Sequence, residues 1–175
     1  MPQILLLDDD THVLTSLKRL LRSENWQIDT FTDAAAALDA LRSTTYGVIV
    51  SDYKMPAMDG VTFLQFARQL QPDAIRLMLS GHGDRQSMIS AINRAEIYRF
   101  LSKPWEEYEI QAALRSAVDL YQVTLENRRL LNQIKHQNDL LRLQEEELLR
   151  LERDNPGITR VSRDEDGSII IEGGA

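Results

Sequence analysis

Four short polar islands, each at the end of an apolar run, carry the chemistry that this sequence suggests: Asp8-Asp9, Asp52, Ser80 and Lys103. The carboxyl ends of parallel strands meet at one edge of a sheet, and ligands bind in the crevice outside those ends. If the four runs are such strands, three carboxylates, one hydroxyl and one ammonium lie in one pocket. That set suits a hard divalent cation and a phosphoryl group carried on an aspartate.

The elements that must position these residues are short apolar runs alternating with longer stretches of helical spacing. The runs cover residues 4–7, 27–31, 48–51, 74–79 and 98–101. Between the runs, apolar residues recur at the spacing of a helix face, as Met88, Ile89 and Ile92 do before the last run. Short runs alternating with helices predict βαβ units, a parallel sheet and right-handed crossovers. We therefore expect an α/β domain.

Local signals predict where helices begin and end. Thr32-Asp33 can cap one helix, because a short polar side chain accepts hydrogen bonds from the free amides of a first turn. Pro72 is expected to stop another helix after Leu70, and Pro104 to open the last helix of the domain.

Composition limits the classes of function. A net charge of −7 and a pI near 5.0 argue against a sequence-independent grip on nucleic acid, which needs a basic face. The absence of cysteine excludes disulfides, thiolate chemistry and cysteine-bound zinc. No apolar run is long enough for a membrane span, and the first ten residues lack the basic start of a signal peptide. We expect a cytoplasmic protein that contacts no membrane and binds no nucleic acid directly.

The islands and their surroundings resemble a known family. The segment Asp52-Tyr53-Lys54-Met55-Pro56-Ala57-Met58-Asp59-Gly60, with the acidic pair, Ser80 and Lys103-Pro104, is similar to the receiver domain of two-component response regulators. The resemblance covers about residues 3–120. It implies a doubly wound, flavodoxin-like sheet of five parallel strands in the order 2-1-3-4-5.

The resemblance implies a Mg²⁺ site and a phosphoacceptor. Asp52 is expected to be the nucleophile that accepts a phosphoryl group. Asp9 and Asp52 are expected to be direct ligands of Mg²⁺, the Lys54 backbone carbonyl a third, and Asp8 to hold a metal-bound water. Because the family's acidic pair lies directly at the strand end, Asp10 is interpreted as the cap of the first helix.

The resemblance also implies a switch. Lys103 and Ser80 are expected to contact phosphoryl oxygens, and the aromatic side chain of Phe100 to turn inward when Ser80 moves. Plain core packing is an equally good interpretation of Phe100, and Tyr98, two residues earlier, could share its role.

Side chains beside the phosphoryl group tune its lifetime in the resembled family. The corresponding positions here are Lys54, two residues after Asp52, and His82, two residues after Ser80.

The C-terminal third of the chain predicts a coiled coil. Residues 106–153 contain no proline or glycine, and a heptad seam follows Leu120, Val123, Asn127, Leu130, Ile134, Gln137, Leu141, Gln144, Leu148 and Leu151. Seven of these ten are apolar, which favours a homodimer; we expect a parallel pair, with Asn127 fixing the register. Leu131, Leu140 and Leu143 blur the seam, and a solvated linker helix is the alternative.

The expected organisation is a receiver domain over residues 1–120, a coiled-coil helix over 121–153 that continues the last receiver helix, and a tail over 154–175. Two β-prone runs, residues 158–162 and 168–172, flank an Asp-Gly turn in the tail and suggest a hairpin.

The preferred function is a non-enzymatic response regulator that receives phosphoryl from a histidine kinase or phosphotransfer protein and changes its contact with a downstream protein. A dehalogenase-type phosphatase is disfavoured, because Asp8-x-Asp10 is followed by Thr11 and then His12, which breaks that family's pattern. Two alternatives stay open: the N-terminal regulatory portion of a larger regulator with a phosphodiesterase, ATPase or transcription output, and a phosphorylation-independent dimeric scaffold.

Overall fold

The computed structural model describes residues 2–81 and 95–156, so the helix predicted around Met88 and Ile92 and the tail hairpin lie outside the described residues. Five strands form one parallel sheet: β1 Gln3–Leu7, β2 Gln27–Phe31, β3 Val48–Asp52, β4 Ile75–Gly81 and β5 Arg99–Lys103. Their order is β2-β1-β3-β4-β5, which confirms the predicted topology.

Four α-helices are described: α1 Thr11–Leu20, α2 Ala34–Ser43, α3 Gly60–Leu70 and α4 Glu107–Asp154, with a short 3-10 turn at Leu21–Ser23. The strand interiors are apolar on both faces because helices cover both. Ile4 and Leu6 pack with α1 and α4, while Leu5 and Leu7 pack with α2 and α3. A continuous apolar run is the pattern expected of a strand buried on both sides.

Aspartates begin three of these helices. The side chains of Asp10, Asp33 and Asp59 accept hydrogen bonds from first-turn amides of α1, α2 and α3. The predicted caps at Asp10 and Asp33 are therefore confirmed. The helix before Pro72 ends at Leu70, as expected.

Two predicted boundaries are wrong. Pro104 does not open the last helix: α4 begins at Glu107, and the Glu106 carbonyl accepts from the amides of Glu109 and Ile110. Trp105 first packs against the core, so the chain needs those residues to cross from the sheet to the helix. The last strand runs to Lys103 because its pairing with β4 continues to Gly81.

A buried arginine closes the amino end of β4. Arg76 is 5% exposed, and its guanidinium donates to the carbonyls of Ala74 at 2.7 Å and Ala95 at 2.9 Å. Its other amine faces Glu96 at 3.4 Å. These bonds hold the segment that leads into β5, and the sequence carried no signal for them.

The chain divides into two units after Glu126. In the first unit, the start of α4 buries Ile110, Ala113, Leu114, Ala117 and Val118. The ring of Tyr121 lies against Gly47, where an added Cβ would meet ring carbons at 2.5 Å. In the second unit, residues 127–154 are a helix whose leucines are exposed. The predicted boundary at residue 120 stays a prediction. No helix among the described residues is both long and apolar enough to cross a bilayer.

The loop between β3 and α3 contains a strained turn. Ala57 has a φ of +64°, and the Met58 amide donates to the Pro56 carbonyl at 2.7 Å. A three-residue turn with positive φ is rare, and a Cβ in this region costs about 1–2 kcal/mol. Ala57 therefore holds strain in the loop that follows Asp52.

Replacing Ala57 with glycine should relieve this strain. After allowance for the greater freedom of glycine in the unfolded chain, we expect Ala57→Gly to stabilise the fold by about 1 kcal/mol, or about 2–4 °C in Tm. Ala112→Gly, at an exposed site within α4, is the control and should lower the Tm by a similar amount. Thermal unfolding measures both; a lower Tm for Ala57→Gly would contradict the strain.

Candidate functional site

The predicted polar residues meet at the carboxyl edge of the sheet. Asp8 follows β1, Asp52 and Lys103 end β3 and β5, and Ser80 is the penultimate residue of β4. Because β3 lies between β1 and β4, Asp52 occupies the middle of this edge. The sequence pattern predicted that these polar residues follow the strands. Asp52, Ser80 and Lys103 instead lie within the last two positions of β3, β4 and β5.

One ammonium group lies between two buried carboxylates. Nζ of Lys103 is 2.6 Å from Oδ2 of Asp8 and 2.6 Å from Oδ1 of Asp52. The side chains of Asp8 and Asp52 are 2% and 9% exposed, and that of Lys103 is 26% exposed. Charged groups this deep require partners, and here one cation serves two anions.

Backbone amides fix the remaining carboxylate oxygens. Oδ1 of Asp8 accepts from the Asp10 amide at 2.9 Å, and Oδ2 of Asp52 accepts from the Lys54 amide at 2.9 Å. Each carboxylate is thus bonded to an amide two residues ahead and to the ammonium of Lys103. This arrangement sets the orientation of both acids.

Burial and pairing shift two of these pKa values. Burial raises the pKa of Asp8, and this outweighs the opposing effects of Lys103 and of the Asp10 amide. For Lys103, burial alone would lower the pKa, but hydrogen bonds and charge attraction from Asp52 and Asp8 hold it above its ordinary value. Lys103 is therefore an ammonium at neutral pH.

Three carboxylates fit a metal ion. One oxygen each from Asp8, Asp9 and Asp52 lies within 4.8 Å of the others, with Asp9 exposed and the other two buried. Such a set of hard oxygen donors beside solvent suits Mg²⁺, which keeps several waters. The Lys54 amide is used by Asp52, and the role of the Lys54 carbonyl stays a prediction.

The predicted switch residues differ in how deeply they are buried. Ser80 is buried in β4, and Phe100 is partly buried against the core on the α2–α3 face. Tyr98 is 42% exposed and precedes β5, its amide bonded to the Arg76 carbonyl. His82 lies outside the described residues. The switch and lifetime roles stay predictions.

Two residues to which the sequence assigned no individual role shape the Asp52 backbone. The Ser51 hydroxyl donates to the Asp52 carbonyl at 2.9 Å. An added Cβ on Gly60 would lie 1.9 Å from that carbonyl oxygen, so only glycine lets α3 begin here. The signal available was the position of Gly60 directly after the capping Asp59.

Comparison with known proteins agrees with this geometry. The family described as response regulator receiver domain matches residues 4–115. The transcriptional regulatory protein FixJ of Bradyrhizobium diazoefficiens is 36% identical over 115 residues, covering 66% of this chain and 56% of FixJ. The hydrogenase transcriptional regulatory protein HoxA of the same species is 32% identical over 123 residues, covering 70% of this chain. The chain spans only 25% of the length of HoxA.

Solved structures show the same fold. The signal receiver domain of an HD domain-containing protein from Pseudomonas fluorescens is 37% identical, with a TM-score of 0.68 over 71% of this chain and 92% of that chain. A structure described as an adenylate cyclase from Rhodopirellula baltica is 34% identical, with a TM-score of 0.70 over 74% of this chain and 96% of that chain.

Removing the shared ammonium should destabilise the fold in a pH-dependent manner. Because the pKa of Lys103 is raised, its stabilisation is fully present below pH 10.5, lysine's ordinary value, and is lost as pH rises through the folded-state pKa. At pH 7, Lys103→Met should lower stability by about 3 kcal/mol, or roughly 6–12 °C in Tm, since two buried carboxylates then repel.

The deficit should shrink as pH falls towards 5, because the raised pKa of Asp8 lets that carboxyl take up a proton early. Lys18→Met, at an exposed site on α1, is the control and should change the Tm little at either pH. A Lys103→Met deficit that is constant with pH would contradict the shared ion pair.

Proposed function

Because the chain belongs to the response regulator receiver family, we propose that it is a phosphorylation-controlled switch in which Asp52 accepts phosphoryl from a sensor histidine kinase or a phosphotransfer protein. The observation that carries the proposal is the contact of Lys103 Nζ with both Asp8 and Asp52 at 2.6 Å. This contact supports the proposal, because the proposed nucleophile, a second carboxylate and a cation meet at the edge where such sheets bind ligands.

The transfer is a displacement at phosphorus. An Asp52 carboxylate oxygen forms the new P–O bond, and the P–N bond to the partner's imidazole breaks with its electron pair remaining on nitrogen. Water later attacks the phosphoryl group, which releases inorganic phosphate and restores the carboxylate. Phosphoryl transfer depends chiefly on positioning and charge neutralisation. The Lys54 amide orients Asp52, and Lys103 neutralises anionic oxygen.

Mg²⁺ is the proposed cofactor, held by Asp8, Asp9, Asp52 and the Lys54 carbonyl. When bound, it supplies positive charge against the incoming phosphoryl oxygens. The grouping of the three carboxylate oxygens within 4.8 Å supports this ligand set.

Phosphorylation is proposed to act on the strands beside Asp52. Lys103 turns towards the phosphoryl group, and the Ser80 hydroxyl donates to another of its oxygens. The movement of Ser80 makes room for Phe100 to pack further inwards, with Tyr98 sharing the rearrangement. Lys54 and His82 then set how fast water removes the phosphoryl group.

The output is proposed to be a changed protein–protein contact in the cytoplasm. Beyond phosphotransfer to Asp52 and its hydrolysis, no enzymatic activity is proposed for this chain. HoxA and FixJ are transcriptional regulators of greater length, and the chain spans 25% and 56% of them. The downstream protein can be identified by a binding experiment with the phosphorylated chain. Direct contact with nucleic acid or membrane is not proposed.

Phosphorylation of Asp52 can be tested by intact-mass measurement with acetyl phosphate and Mg²⁺. We expect one added phosphoryl group on the wild-type chain, none on Asp52→Asn, and none with excess EDTA. Asp33→Asn keeps the cap of α2 and is the matched control, which should be phosphorylated normally. Wild-type uptake by Asp52→Asn would reassign the acceptor.

The second unit is proposed to hold a homodimer. Its seam leucines are about half exposed, so burying each against a second copy gains about 1 kcal/mol. With ten apolar seam side chains between residues 127 and 151 of two copies, the gain reaches about 10 kcal/mol. Association costs about 4–15 kcal/mol; at the low end of that range the net gain of about 6 kcal/mol corresponds to a dissociation constant of tens of micromolar, and this is the dimer proposed.

Charges placed in the seam should separate the copies. Ile134→Glu with Leu141→Glu puts four carboxylates between the helices of a dimer. Light scattering at tens of micromolar should then report a monomer, and this monomer should still be phosphorylated at Asp52. Lys135→Glu with Arg142→Glu adds the same glutamates outside the seam and should stay dimeric. A wild-type chain that is already monomeric would contradict the homodimer and favour the alternative, a solvated linker helix.

A further inference from the structure

We infer that residues 127–151 pair with a second copy in parallel and in register, and that three polar side chains within the seam, Asn127, Gln137 and Gln144, fix this alignment. The inference rests on the homodimer proposed above and specifies its geometry. These three polar residues, which interrupt the apolar stripe, would thus determine the register of the two helices; we call them the markers.

The seam is a single face of the helix. Its apolar members, Leu130, Ile134, Leu141, Leu148 and Leu151, are between 38% and 56% exposed. Their spacing alternates between three and four residues, with the polar members at the intervening positions. A stripe of this kind is a coiled-coil face, and a second copy offers the identical stripe.

Parallel, in-register pairing brings like side chains together. Each seam position then faces itself, so leucines meet leucines, and Asn127, Gln137 and Gln144 each meet their own copy. An amide can donate to and accept from another amide, so the three polar layers satisfy one another. A polar residue at a seam position is a known means of specifying register.

Other alignments break this matching. In a parallel pair shifted by one heptad, each residue of one copy faces the residue seven positions later in the other. Gln137 then faces Gln144, but Asn127 of the first copy faces Ile134, and Gln144 of the first copy faces Leu151. In the antiparallel alignments that overlap most of the segment, a glutamine faces Ile134 or Leu141. An amide buried against an aliphatic side chain loses its hydrogen bonds with water and gains none.

The charged residues do not impose the parallel arrangement. The flanking Glu147 of one helix would face Glu152 of the other, which is a like-charge pair. Residues 127–141 carry three basic and one acidic side chain, and residues 142–154 three basic and five acidic. Antiparallel pairing would gain attraction between these halves, but the charges are exposed and screened by salt. The polar layers are buried on pairing and decide the alignment.

Spin labels can measure the alignment directly, because the chain contains no cysteine. Arg129→Cys and Arg150→Cys, both on the outer side of the helix, are labelled separately in the full chain. In the parallel, in-register dimer both same-site distances lack an axial offset and reflect only the width of two helices, about 20 Å. In any antiparallel dimer the two axial offsets sum to about 63 Å, at 1.5 Å per residue.

Two short, similar distances are the expected result, and a long distance at either site would overturn the parallel alignment. The absence of dipolar coupling at both sites would instead refute the homodimer itself, while phosphorylation of Asp52 would stand. Removal of the markers completes the test. Gln137→Leu with Gln144→Leu should lower the dimer dissociation constant at least tenfold and add the longer distances of antiparallel pairs at the labelled sites. A single unchanged distance would overturn the role of the glutamines.

Discussion

The ammonium of Lys103 between the carboxylates of Asp8 and Asp52 constrains the whole first unit. Two carboxylates buried to this extent repel one another and lose their hydration, so a cation must lie between them. The strand order provides it: β1 and β3 are neighbours and bring Asp8 beside Asp52, while Lys103 reaches across from β5. A different order of the same strands would separate these charges.

Much of the surrounding structure holds this edge of the sheet in place. Gly60 lets α3 begin directly over the Asp52 carbonyl, and the Asp59 side chain caps that helix. At the opposite edge, Arg76 donates to the Ala74 carbonyl directly before β4 and to the Ala95 carbonyl in the segment that leads into β5, the strand that carries Lys103. Positioning of a few charged groups, more than any strong acid or base, is what phosphoryl transfer requires.

The pattern of apolar runs predicted the sheet, and the position of the acids at the ends of those runs predicted the cluster. The same reasoning placed the start of α4 too early, because proline is favoured in a first turn, whereas Trp105 had first to reach the core. The contacts of Arg76 could not be predicted, since they combine the neighbouring Ala74 carbonyl with the Ala95 carbonyl, which is 19 residues away in the chain. Nor did the sequence indicate that Lys103 bridges Asp8 as well as Asp52, which depends on side-chain reach across three strands.

Lys103 is proposed to exchange a carboxylate for a phosphoryl oxygen when Asp52 is modified. A crystal structure of the chain with Mg²⁺ and beryllofluoride, which mimics the aspartyl phosphate, tests it most directly. We expect Nζ of Lys103 to leave Asp8 and to bond to a fluorine atom of the group on Asp52. A structure in which beryllofluoride is bound to Asp52 and Nζ still contacts Oδ2 of Asp8 at about its present 2.6 Å would contradict it.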